Sequence, residues 1–103
     1  MARGMGMAAA RVLRAIAGGA EYGFDIIEAT GLASGTVYPA LSRHERDGYV
    51  RSSWEDPVRA HRERRPPRRY YRISPQGRAA LDAALADLGI EPAGRMRPAK
   101  ARS

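Results

Sequence analysis

"SGTVYPALSRHERDGYV", residues 34–50, is the stretch on which the reading of this chain turns. From Val37 the apolar residues recur at helical spacing, and Gly48 offers the left-handed stop that commonly ends a helix. The spacing predicts a helix over Ser34–Asp47. Two residues resist it. Pro39 has no N–H, and its ring would crowd the carbonyl four residues back; that residue is Gly35, so an altered first turn is expected rather than a broken helix. His44 falls on the apolar face one turn beyond Leu41, where a partly buried, hydrogen-bonded imidazole is expected.

Working outward, residues 7–17 ("MAAARVLRAIA") place Val12, Leu13, Ile16 and Ala17 on one helical face, and Gly18-Gly19 ends the run. Phe24, Ile26 and Ile27 give a second short helix over Gly23–Thr30, closed by Gly31, with Leu32 and Ala33 as a tight connection to the third. Beyond Gly48, "YVRSSWE" (49–55) alternates as a strand does. "DPVRAHRERRPP" (56–67) is polar, Arg-rich and holds three prolines, which excludes a central strand and suggests a long basic loop. "RRYYRIS" (68–74) alternates again, with Tyr71 and Ile73 on one face and Tyr70 and Arg72 on the other. Ser74 and Pro75 suit the N-cap and first position of a last helix carrying Leu81, Leu85 and Leu88. The order is three helices, a two-stranded hairpin with an extended basic tip, and a C-terminal helix. That is an α+β, mostly helical fold of the winged helix-turn-helix type. Residues 1–6 read as a flexible leader, 7–88 as the domain, and 89–103 as a basic, disordered tail.

Composition narrows the function. The chain of 103 residues carries 18 Lys and Arg against 11 Asp and Glu, a formal charge of +7, and all but Lys100 of the basic residues are Arg. That balance suits a polyanionic partner. There is no cysteine, hence no disulfide framework and no thiolate metal site. His44 and His61 alone make no convincing metal centre, and no cofactor is expected. No apolar run is long enough to span a bilayer, and Arg11 and Arg14 interrupt any signal-peptide core, so a cytoplasmic protein with no membrane partner is expected. No catalytic constellation is present. Glu55 and Asp56 are adjacent in a strand and would point to opposite faces.

Several segments together resemble the PadR-like transcriptional regulators: "YGFDII" (22–27), "GTVYPALSR" (35–43), "DGYV" (47–50) and "RRYYRISPQGRAAL" (68–81). The resemblance covers roughly residues 7–88. It implies a dimeric winged helix that binds double-stranded DNA, usually as a repressor, with the third helix in the major groove and the wing on the backbone or minor groove. Nothing in the chain resembles the larger C-terminal helical domain of long members, so it reads as a short form. It departs from the family pattern at His44, where Leu is usual, and in its longer, Arg-rich wing tip.

On that arrangement the third helix offers Ser34, Thr36, Tyr38, Pro39, Ser42, Arg43 and Arg46 to the groove, as hydroxyls and guanidinium groups bond both phosphates and base edges. Arg43 and Arg46 have an alternative in Glu45, Asp47 or Glu28. The wing offers Arg59, Arg62, Arg64, Arg65, Arg68 and Arg69 to phosphates. Tyr71 and Ile73 are expected in the core, and Trp54 over the sheet or in a dimer groove. Leu81, Leu85 and Leu88 form either a satellite of the core or the seam of a homodimer, and a chain this small gains from the seam. A small-molecule effector is left open. The competing function is a winged-helix module that binds protein or RNA without operator specificity.

Overall fold

In the computed structural model, which describes residues 5–90, the helix of the opening stretch is continuous. Helices α1 (Met7–Ala17), α2 (Gly23–Thr30) and α3 (Ser34–Arg46) are followed by strand β1 (Val50–Trp54), a short helix α4 (Pro57–Arg62), strand β2 (Arg69–Ile73) and helix α5 (Pro75–Leu88). The apolar spacing of α1 buries Val12, Leu13 and Ile16. Val37, Ala40 and Leu41 of α3, Ile26 of α2, Val50 of β1 and Leu81 and Leu85 of α5 complete one core with them. Each large aliphatic side chain so buried contributes about 2 kcal/mol through removal of apolar surface from water.

The end of α3 is set by Gly48. Its φ is +80°, a left-handed conformation that L side chains resist. The N–H of Tyr49 reaches back to the carbonyl of His44 at 2.9 Å, and that of Gly48 to Glu45 at 3.1 Å, so the last carbonyls of the helix are bonded as the chain turns into the hairpin. Pro39 lies in the second turn, one turn later than its sequence suggested. The Gly35 carbonyl that loses a donor there is on the exposed side, so water can reach it.

The two strands pair antiparallel, Val50 opposite Ile73 and Trp54 opposite Arg69. The far edge of β2 is covered by the segment before α2: Tyr71 donates its N–H to the carbonyl of Glu21 at 2.7 Å, and Tyr22 bridges to Tyr70. This short pairing leaves no alternating run in the sequence and was not anticipated. At the base of the hairpin, Ser74 Oγ accepts from the N–H of Gly77 at 2.9 Å and donates to the carbonyl of Gly48 at 2.6 Å. The same hydroxyl caps α5 and ties it to the end of α3. A Cβ at Gly77 would collide with the backbone carbonyl of Tyr49, so this close approach requires glycine.

Four expectations change. Residues 56–67 are not one loop: Asp56 accepts from the N–H of Val58 and caps α4, with Pro57 in its first turn. Leu81 and Leu85, each 3% exposed, belong to the core and are not surface for a dimer seam; Leu88 is only half-buried. Met5, read as part of a flexible leader, packs against the core, as does Ile90, read as part of the tail. The rest of the leader (1–4) and of the tail (91–103) lies outside the described residues.

Candidate nucleic-acid interface

Helix α3 is divided cleanly. Val37, Ala40, Leu41 and His44 are buried, whereas Ser34, Thr36, Tyr38, Pro39, Ser42, Arg43 and Arg46 are all exposed. No side chain caps its first turn. The exposed strip therefore combines hydroxyls, a phenol, two guanidinium groups and a positive helix end, a set suited to phosphates and base edges. Of the carboxylates suggested as partners, only Asp47 pairs, with Arg46 at 3.8 Å across an exposed surface, a weak bond. Tyr38 lies over Gly23 at the start of α2, so closely that a Cβ there would meet its ring.

Two polar contacts fix the tilt of α3. On its buried side His44 Nε2 donates to the Ala9 carbonyl of α1 at 2.8 Å; a carbonyl only accepts, so Nε2 carries the proton. Burial, with some help from Arg43, holds the imidazole below its ordinary pKa of 6.5, and the bond to Ala9 and the charge of Asp47 oppose this only in part. On its flank Glu45 accepts from Ser52 Oγ of β1 at 2.6 Å and from Arg69 of β2 at 3.3 Å. The hairpin is thus bonded directly to the helix beside it.

The wing arginines separate into different roles. Arg65 is the plainest departure from expectation. Its guanidinium grips the buried carboxylate of Glu55 through two bonds of 2.6 and 2.8 Å and also bonds Glu63, leaving its side chain 19% exposed. It acts as a structural clamp, its guanidinium committed to two carboxylates. Glu55 also accepts from the backbone N–H of Arg68 at 3.1 Å. The bond from Arg65 foremost holds its carboxyl down at about 2. Arg69 bonds Ser52 as well as Glu45, with its guanidinium 5.3 Å from the Trp54 ring. Arg68 stacks 4.1 Å over Tyr22. Arg59 lies near Glu55 and Glu63 at 3.7 and 4.0 Å but stays exposed. Arg62 and Arg64 are exposed and have no ion pair among the described residues.

Between α3 and the wing lies a cleft of about 460 Å³, lined by Tyr22, Phe24, Tyr38, Trp54 and Tyr71, with Arg68 and Arg69 at its rim. Phe24 and Trp54 are 65% and 64% exposed, unusual for such large apolar rings. Trp54, expected over the sheet or in a dimer groove, forms one wall. Sequence reading missed Tyr22 and Phe24; the signal was an aromatic pair flanking Gly23, which only the fold brings opposite Tyr38. Among the described residues no cluster of His, Asp and Glu could hold a metal ion, and no helix is long and apolar enough to cross a membrane.

The family described as "Transcriptional regulator PadR-like family" matches residues 12–83. Among solved structures, a PadR family transcription regulator from Clostridium difficile R20291 aligns with a TM-score of 0.68 at 21% identity, over 80% of this chain and 86% of its own. A PadR-like transcription factor from Bacteroides fragilis gives 0.66 at 24% identity, over 81% of each chain. Bordetella bronchiseptica BpsR, whose DNA binding is regulated by 6-hydroxynicotinic acid, gives 0.65 at 20% identity; the alignment covers 80% of this chain but only 54% of BpsR. At these identities the structures share the fold. No curated protein matches the sequence.

Proposed function

Because this chain belongs to the PadR-like family of transcriptional regulators, a DNA-binding family and not one of enzymes, we propose that it is a sequence-specific repressor acting as a homodimer on double-stranded DNA. The observation that carries the reading is the strip on α3: seven polar or small side chains, from Ser34 to Arg46, all exposed on a helix whose other face is buried. Tyr38, Ser42 and Arg43 read base edges, and Ser34 and Thr36 at the helix start meet phosphates. Arg62 and Arg64, with Arg59 beside them, supply backbone contacts from the wing, while Arg68 and Arg69 shape the cleft. Arg65 is left out, since it is engaged by Glu55. For the dimer seam, Leu88 at the end of α5 and the exposed Met7 at the start of the neighbouring helix α1 replace the buried leucines.

A planar aromatic effector suits the cleft beneath Tyr38. Its aromatic walls give the apolar faces, and Arg68 and Arg69 at the rim suit an acid group. Regulation of BpsR by 6-hydroxynicotinic acid supports this by analogy. Since Tyr38 would serve both ligand and duplex, the effector would release DNA.

The test is selection of duplexes from a random pool, followed by titration of the selected and scrambled duplexes at two salt concentrations. Tyr38→Ala and Arg43→Ala should each erode the preference for the selected duplex by about tenfold. Arg62→Gln with Arg64→Gln should leave that preference intact and lower the log–log salt slope by about 2. Equal affinity for selected and scrambled duplexes in the unmodified protein would overturn the reading in favour of a non-specific binder.

A further inference from the structure

The hairpin has a second face. Strand alternation places Ser52, Trp54, Arg69 and Tyr71 on the side bonded to Glu45 of α3, and Arg51, Ser53, Tyr70 and Arg72 on the other. On that outer face Arg51 stands directly opposite Arg72. The flanking bonds from Ser74 N to Tyr49 O and from Glu55 N to Arg68 O bracket the ladder. They make Arg51 and Arg72 a hydrogen-bonded pair, with Cα atoms about 5.5 Å apart. Like charges at opposed positions repel. Neither guanidinium has a carboxylate partner among the described residues, nor does that of Arg78 in the first turns of α5. The contrast with the inner side is sharp, where Glu45 and Glu55 neutralise Arg69 and Arg65.

These three side chains line one cleft of about 850 Å³, walled on its far side by the end of α1 and the turn into α2. Arg59 lies at its margin, and Glu21 is the single acid in its lining. Three guanidinium groups without an ion pair among the described residues thus share this concave surface with one carboxylate, and Arg59, held near Glu55 and Glu63, adds a fourth at the side. A guanidinium offers a fork of N–H donors that matches two oxygens of a phosphate, and two such forks on adjacent strands match a ligand with more than one phosphate.

We propose that this cleft is a phosphate-binding site, in which Arg51, Arg72 and Arg78 hold the oxyanions of a polyphosphate-bearing ligand or of a DNA backbone beyond the segment read by α3. It is separate from the strip on α3 and stands whether or not that strip reads an operator. Bound phosphate replaces the repulsion across the ladder with a shared counter-charge and ties the hairpin to the start of α5.

The experiment is calorimetric titration of the full chain with inorganic tripolyphosphate at low ionic strength. It is run on the unmodified protein, on Arg51→Gln/Arg72→Gln, and on Arg62→Gln/Arg64→Gln as a comparator that loses the same charge elsewhere. Thermal melting checks that each variant folds. A second arm measures the salt slope for duplexes of about 12 and about 30 base pairs. Where a free ligand is the source, tripolyphosphate affinity falls about tenfold or more in the Arg51/Arg72 variant and less than about twofold in the comparator. Where the DNA backbone is the source, the same variant lowers the salt slope by about 2 on the longer duplex alone. Equal losses of tripolyphosphate affinity in the two variants, without a drop in salt slope confined to the longer duplex, would mean that only overall charge matters and would overturn the site. So would an Arg51/Arg72 variant that is unchanged in both arms.

Discussion

His44 shows how much one buried side chain can govern. It joins α3 to α1 as a neutral imidazole, and its folded pKa lies below the 6.5 of a free histidine. The unfolded chain therefore binds more protons as pH falls through 6.5, and stability must decline from there downward, with the full contribution present above it. The melting temperature should drop between pH 7 and pH 5, and His44→Leu should flatten that part of the profile. Leucine needs no partner, and the Ala9 carbonyl keeps its place in the helix ladder of α1. An unchanged slope in His44→Leu would assign the titration elsewhere. The position of His44 on the apolar face was legible from its spacing behind Val37 and Leu41. Its partner was not, because Ala9 lies 35 residues away and a backbone carbonyl has no sequence signal.

Helix α4 makes the same point for an element. Its start was readable in principle: Asp56-Pro57 is an N-cap followed by the residue best suited to a first turn. Its end was not. The chain turns through Arg64 at φ +58°, where glycine is the usual occupant, and Arg65 N closes onto Ala60 O at 3.1 Å. A non-glycine residue there costs roughly 1 kcal/mol. The Arg65–Glu55 clamp holds the turn in place. Glu55 is held at about 2, so its contribution is complete above the ordinary carboxylate value of 4.5 and fades as pH falls through 4.5 towards 2. Glu55→Gln should raise amide exchange and proteolysis in residues 57–67 at pH 7, with little change in α1 and α5. Uniform loosening of the whole chain would contradict this.

At the scale of the molecule, the small core and the proposed homodimer make opposite demands on α5. Leu85 lies in the core, and Leu85→Ala should destabilise the fold by about 3 kcal/mol with no selective effect on association. Leu88→Arg should instead lower the sedimentation-derived mass towards that of one chain while leaving the protomer folded. If Leu88→Arg leaves the mass of the dimer unchanged, the seam lies elsewhere. The sequence by itself determined the order of the first three helices, the two strands and the last helix, the glycine stop after α3, the serine cap of α5 and the two faces of α3, because each follows from contacts within a few residues or from a period of side chains along one element. Only the tertiary structure decided which arginines are engaged and which are open. Arg65, Arg62 and Arg51 are alike in sequence, and they differ because charge pairing depends on carboxylates that folding brings near or leaves far away.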